Sequence, residues 1–394
     1  MKKLFIVIVL CVVATSSCSL FHEPKENDAV NNDIWISAYL ASWKHKVAGS
    51  VNGKTWGNMF TRDIDWDAFT HLFYFSLVPN ADGTLTEIQD FENVNPDRLI
   101  SIIDQAHQHQ KPVLITIGGF NTRDEFVLAY SDENRAQFIQ NIINVVTEWG
   151  FDGVDLDIQP LQNNDGILLT TFVNELHSEL QKISTPLLDK PLLTMAVNSR
   201  PEFFTAIQNK LDQINITTYN MSQPFPDWVA WHNTPLFNGG NTFPIAGDIP
   251  LPSIKLQLER FLDAGIERNK IGIGFSFYGY EWSGVSQPLQ GWDPNAPPTI
   301  PFFGATPYHD LHENYNLENA LWDNTAKVPY VSISDPETFV SFDNERSIEE
   351  KFNFVNEEGI GGVIIWELAG GFRENAPEGQ KDLLLQSVKN KAFN

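Results

Sequence analysis

A chain of 394 residues with 42% hydrophobic content can bury one large core, and 50 acidic against 26 basic residues give it a net charge of −24, a surface that repels nucleic acid. A neutral polymer suits such a surface, and so does solvent alone, because high net charge chiefly serves solubility. The two cysteines, Cys11 and Cys18, both fall in the leader, so the exported body carries neither disulfide nor thiol chemistry.

Residues 1–17 combine a charged start, an apolar run from Leu4 to Ala14 and a small-residue end, which reads as a secretory signal; the run is too short to span a bilayer. Cys18, preceded by Thr15, Ser16 and Ser17, resembles a bacterial lipoprotein cleavage site. It implies lipidation of Cys18 and an exported, membrane-anchored protein at the outer membrane or cell surface. Residues 18–33 are polar, carry Pro24 and several charges, and read as a tether to a domain over 34–394.

Within that domain, short apolar segments begin near Ile34, His71, Val113, Gly153, Leu192, Gln213, Lys270 and Gly362. Apolar residues at helical spacing predict helices over 97–109, 132–148, 167–184, 253–264, 346–357 and 379–389. Helical patterns between most of the strands predict a parallel α/β fold, and eight strands predict its closure as a (β/α)8 barrel. From Tyr280 to about Phe342 the alternation breaks in a stretch rich in Pro, Gly and aromatics, which predicts a small insertion between strands seven and eight.

The fourth strand carries the chemistry. Residues 151–160 read Phe-Asp-Gly-Val-Asp-Leu-Asp-Ile-Gln-Pro, so Asp155, Asp157 and Gln159 leave one face while Val154, Leu156 and Ile158 leave the other. Two carboxylates and an amide in line cannot be ordinary core; they need partners, water or a ligand. A solvated edge strand is the plain alternative, and the uniformly bulky apolar face argues against it.

This strand resembles the signature of glycoside hydrolase family 18, the chitinases and endo-β-N-acetylglucosaminidases, Asp-Gly-x-Asp-x-Asp-x-Glu, with Gln159 where the family has Glu. Other segments are similar in the same order: residues 35–43 to the first strand, 114–120 to the third with Thr116 for Ser, 213–221 to the sixth, 271–279 to the seventh and 362–368 to the eighth. Residues 328–330 and 339–343 resemble the family's insertion, which walls one side of the cleft.

The resemblance implies that the substrate's own acetamide oxygen attacks the anomeric carbon, an exception to the two-carboxylate scheme. It implies catalytic positions at Asp155, Asp157, Gln159 and Tyr219: Asp157 orients the acetamide with Asp155 behind it, position 159 protonates the departing oxygen, and Tyr219 hydrogen bonds the acetamide. Tyr39, Trp43, Asn220, Trp231 and Trp366 are the substrate-binding candidates, Trp366 as the apolar floor beneath the sugar. Phe120 either borders the cleft or caps the core.

A primary amide has no proton to give near neutral pH, although it keeps the shape and hydrogen bonds of the acid. Asn220 makes the same exchange, an amide for the family's Asp, and two such changes in a chain with an intact leader read as natural. The leading expectation is a protein that binds β-1,4-linked N-acetylglucosamine chains with hydrolysis lost or severely reduced. The alternatives are an active chitinase or endo-β-N-acetylglucosaminidase using another acid such as Glu367, and a scaffold that has abandoned sugar. Trp366 facing inward would turn Glu367 outward, and retained aspartates speak against a scaffold. Chitin, N-glycan cores and peptidoglycan fragments stay open as ligands. No metal-ligand spacing or glycine-rich phosphate loop is present, so no metal and no cofactor is expected.

Overall fold

The computed structural model describes residues 34–46, 58–87, 96–221, 228–244, 249–291 and 305–393. The leader, Cys18 and the tether lie outside these residues. Eight parallel strands, β1 (Trp35–Ala41), β2 (His71–Pro79), β3 (Val113–Phe120), β4 (Gly153–Gln159), β5 (Leu192–Val197), β6 (Gln213–Ile216), β7 (Ile271–Ser276) and β8 (Gly362–Trp366), pair in sequence order. The cylinder closes because β1 pairs with β2 on one side and β8 on the other, Ala38 opposite Leu72 and Ile365. The expected (β/α)8 barrel is what the chain forms.

Alternation along each strand builds two cores. Outward residues such as Val154, Leu156 and Ile158 on β4, with Val363 and Ile365 on β8, join the cluster under the helices. Inward residues Tyr39, Phe73, Phe75, Leu114 and Ile364 form a separate aromatic-rich cluster in the lumen. Below it a polar layer is satisfied internally: Ser37 donates to Gln213 at 2.9 Å and Asn215 Nδ2 donates to the same oxygen at 3.0 Å.

Close strand packing explains a bare position on β3 and another on β4. A Cβ on Gly153 would lie 2.4 Å from the Leu192 carbonyl oxygen, and one on Gly118 would lie 2.2 Å from that of Asp157, so β4 meets both neighbours only because these positions are bare. The preceding Asp152 is a fold residue. Fully buried, it accepts from the Val113 amide at 3.0 Å and the Leu187 amide at 3.2 Å, and lies 2.7 Å from His107 Nε2.

Five predicted helices lie close to their expected places, at Pro96–Gln108, Arg135–Trp149, Gly166–Leu180, Ile254–Asp263 and Glu345–Glu358. The sixth, expected over 379–389, runs Leu383–Phe393, because Gly379 sits at φ +79° in a turn that no helix can include. The insertion is a five-stranded antiparallel sheet of Tyr278–Ser283, Ala305–Pro307, Leu321–Asp323, Val328–Ser334 and Glu337–Ser341, with a helix at Tyr308–Asn314. Its return to the barrel is pinned by a fully buried ion pair, Lys351 Nζ to Asp343 at 2.5 and 2.6 Å. The excursion between β6 and the helix at Ile254 was not anticipated. Its described part holds only isolated bridges, one of them joining Val229 to Gly291.

Candidate active site

At the carboxyl end of the barrel, the inward face of β4 stacks its polar residues by depth. Asp155 is fully buried and accepts three hydroxyl donors, Tyr39 at 2.8 Å, Thr116 at 3.1 Å and Thr194 at 2.7 Å, one from each of β1, β3 and β5. Burial nonetheless pushes its carboxyl up to about 6, the three hydrogen bonds opposing. One turn of the pleat higher, Asp157 is pushed to about 7, first by burial and then by the charge of Asp155.

Position 159 completes the line. Gln159 Nε2 donates to Asp157 Oδ1 at 2.5 Å, and Asn198 Nδ2, just past β5, donates to Gln159 Oε1 at 2.8 Å. The chain of donors therefore runs Asn198 to Gln159 to Asp157 and fixes which end of the amide faces the carboxylate. Glu367 is elsewhere: its carboxylate caps the short helix Leu368–Gly371 by accepting from the Ala369 amide at 3.1 Å. Burial pushes it up to about 7, with Lys44 opposing.

Tyr219 and Asn220 follow β6. The ring of Tyr219 leans on Gly274, where a Cβ would come within 2.6 Å of it, and burial, then Asp157 and Asp155, hold its phenol well above the ordinary range, so it stays a donor. Asn220, at φ +55°, accepts on Oδ1 from both Tyr278 at 2.5 Å and Tyr280 at 2.9 Å, and its backbone amide donates to Asn233 Oδ1 at 2.8 Å. Asn233 is itself anchored to Ser276, and Ser276 to Asp343.

The aromatic candidates divide. Trp366 is half-buried, its ring 4.7 Å from Phe75 and 5.3 Å from Tyr39 between centroids, which leaves a supported face at the mouth. Trp43 is half-buried beside the same Phe75 at 5.8 Å. Phe120, paired in register with Gln159, is 64% exposed and so borders the mouth instead of capping the core. Two expectations need correction. Trp231 is 1% exposed, donates to the Pro252 carbonyl at 3.0 Å and packs with Val229, Leu251, Ala326 and Val328, so it is core. Tyr39 is likewise 1% exposed with its hydroxyl spent on Asp155; it supports the carboxylate and is out of reach of a ligand.

Sequence reading missed Thr194, Asn198, Tyr278, Tyr280 and Asn233. Asn198 and Asn233 sit in loops without a periodic signal, Thr194, Tyr278 and Tyr280 are ordinary strand residues whose partners the sequence does not show, and the contacts reach across 13 to 60 residues of chain.

This barrel and this fourth strand define a glycosidase-type cleft. The chain belongs to glycosyl hydrolases family 18, whose model matches residues 36–371. It is 26% identical over 294 residues to Chitinase A1 of Niallia circulans, covering 65% of this chain and 40% of that protein. It is also 26% identical over 318 residues to the cortical fragment-lytic enzyme of Bacillus cereus, covering 78% of this chain and 66% of the relative. The Group IV chitinase of Ostrinia furnacalis, solved in complex with allosamidin, has the same fold, with a TM-score of 0.75, 23% identity, and coverage of 91% of this chain and 98% of that one.

Proposed function

We propose that this protein binds β-1,4-linked N-acetylglucosamine glycans in the barrel cleft and has lost hydrolysis or retains a small remnant of it. The observation that carries this reading is the amide at position 159. It donates to Asp157 as a protonated carboxyl would, so the cleft keeps its shape, yet it has no proton to release to a departing oxygen. A positioned general acid contributes about 10²–10⁴ in rate, and the missing factor leaves binding untouched. Asp157 would orient the acetamide, Asp155 would stand behind it, Tyr219 would donate to the acetamide oxygen, and Trp366 would form the floor.

The active-enzyme alternative requires another acid at the leaving oxygen. Burial raises the Glu367 carboxyl to about 7, but the group is committed to capping a helix, so it is a poor substitute. A protein that captures glycans also fits an exported chain anchored through a lipidated Cys18, which we include in the proposal. The test is a paired assay on chitotetraose, with binding read by calorimetry and cleavage by chromatography in one sample. Heat without products supports the reading; turnover at an ordinary glycosidase rate overturns it, and the absence of both removes the glycan.

A further inference from the structure

Trp43 and Trp366 stand at the ends of two strands that have already parted. The ladder between β1 and β8 runs from Trp35 opposite Gly362 to Ala38 opposite Ile365 and stops there, although β1 continues to Ala41 and β8 to Trp366. Each end stays paired on its far side, Ala41 with Phe75 of β2 and Trp366 with Ser276 of β7. Between the two ends no backbone ladder is left to set their spacing.

Glu367 occupies that interval. Its Oε2 accepts from the Ala369 amide at 3.1 Å, and backbone hydrogen bonds from Ala41, across on β1, and from Gly370 also reach the carboxyl group. Ala41 leads directly into the single turn Ser42–Lys44, which carries Trp43 and ends on Lys44, whose positive charge bears on Glu367. The fit is close, since a Cβ on Gly370 would lie 3.3 Å from Glu367 Oε1 and 2.6 Å from the Phe277 carbonyl oxygen. A carboxyl group 8% exposed is costly to keep, and amides drawn from two loops offset that cost while tying the loops together. A second tie, Lys46 Nζ to Glu374 at 2.9 Å, lies at the surface, where an ion pair holds little.

The consequence falls on the aromatics. Trp43 and Trp366, both half-buried, meet the ring of Phe75 at 5.8 and 4.7 Å between centroids and at 81° and 80° to its plane, so one phenyl ring buttresses both indoles. How they stand to each other depends on how the turn carrying Trp43 is seated against β8.

We propose that Glu367 is a positioning residue of the glycan cleft: its carboxyl group takes over from the ladder beyond Ala38 and holds the Trp43 turn beside Trp366, so that the two indoles form one continuous platform for consecutive sugars. This rests on the reading that the cleft binds N-acetylglucosamine chains. Glu367 touches no sugar and acts through Trp43.

The experiment is a double-mutant cycle on the mature full-length chain, with chitotetraose binding read by calorimetry and the fold of each variant checked by circular dichroism. Glu367→Ala and Trp43→Ala should each weaken binding at least ~threefold, the scale of one aromatic contact. The double variant should bind within ~twofold of Trp43→Ala alone, because a positioning residue has nothing left to position. Losses that multiply make the two residues independent and overturn the inference, as does full affinity in either single variant; the proposed function then stands. If the unmodified chain binds no chitotetraose, the proposed function falls and this inference with it. Should Glu367→Ala fail to fold, Glu367→Gln carries the same cycle, since its amide nitrogen would face backbone donors that need an acceptor.

Discussion

At position 159 a single atom separates binding from chemistry. Gln159→Glu puts a carboxyl between Asp157, whose negative charge raises its pKa, and Asn198, whose Nδ2 donates to it. Such a group holds its proton at working pH and releases it as the leaving oxygen gains charge. Hydrolysis of chitooligosaccharides should therefore rise at least ~10²-fold, the low end for a positioned acid, measured by chromatography of the products. Asn220 stands where the family has another acid, so Gln159→Glu with Asn220→Asp is the second variant to assay. If neither cleaves while both bind, the site has drifted beyond its motif. Trp366→Ala should weaken chitotetraose binding by more than ~1 kcal/mol by calorimetry, because it removes the aromatic face that Phe75 and Tyr39 hold in place. An unchanged affinity would make Trp366 core.

Among the elements, what could be read ahead is what repeats. All eight barrel strands begin within a residue of their expected starts, because a strand covered on both sides leaves a dense apolar run between turn residues. The line Asp155, Asp157, Gln159 was legible because period-two alternation puts all three on one face whatever the tertiary fold. Trp231 was misplaced for the opposite reason. It lies in the excursion after β6, where no period tells inside from outside, and its neighbours Ala326 and Val328 come from nearly a hundred residues away. Asn198 and Asn233 were invisible on the same grounds, since only the closed barrel brings them to Gln159 and Asn220. This distinction is measurable. Trp231→Ala should destabilise the protein by ~3–5 kcal/mol in denaturant unfolding, the range for a buried aromatic, while the folded fraction binds glycan as before. A variant of full stability with weakened binding would return Trp231 to the cleft.

For the molecule as a whole, the lipid anchor and the buried acids each give a test. Cys18→Ala should move the protein from the membrane fraction to the soluble fraction, and retention in the membrane would point to a different anchor. The buried acids bear on stability. Burial holds the carboxyls of Asp155 at about 6, Asp157 and Glu367 at about 7 and Asp382 at about 8, all well above the usual carboxylate range. In the unfolded chain the same groups titrate near 4, so between pH 4 and 8 the native state keeps protons that the unfolded state has released. Unfolding then releases protons, and stability falls as pH rises through that window. The histidines His71, His177, His232 and His309, whose pKa values burial lowers, act in the opposite sense below about pH 6.5, so the thermal midpoint should decline from about pH 6.5 to pH 8. Asp382 isolates the effect because its Oδ1 accepts from the Leu385 amide at 3.3 Å while Oδ2 is buried without a partner, so an amide keeps the first contact and carries no charge. Asp382→Asn should raise the midpoint at pH 8 clearly more than at pH 5, read by calorimetric scans. A flat profile in the unmodified protein, or an equal shift at both pH values, would mean that these carboxyls ionise without cost in the folded state and that water reaches them.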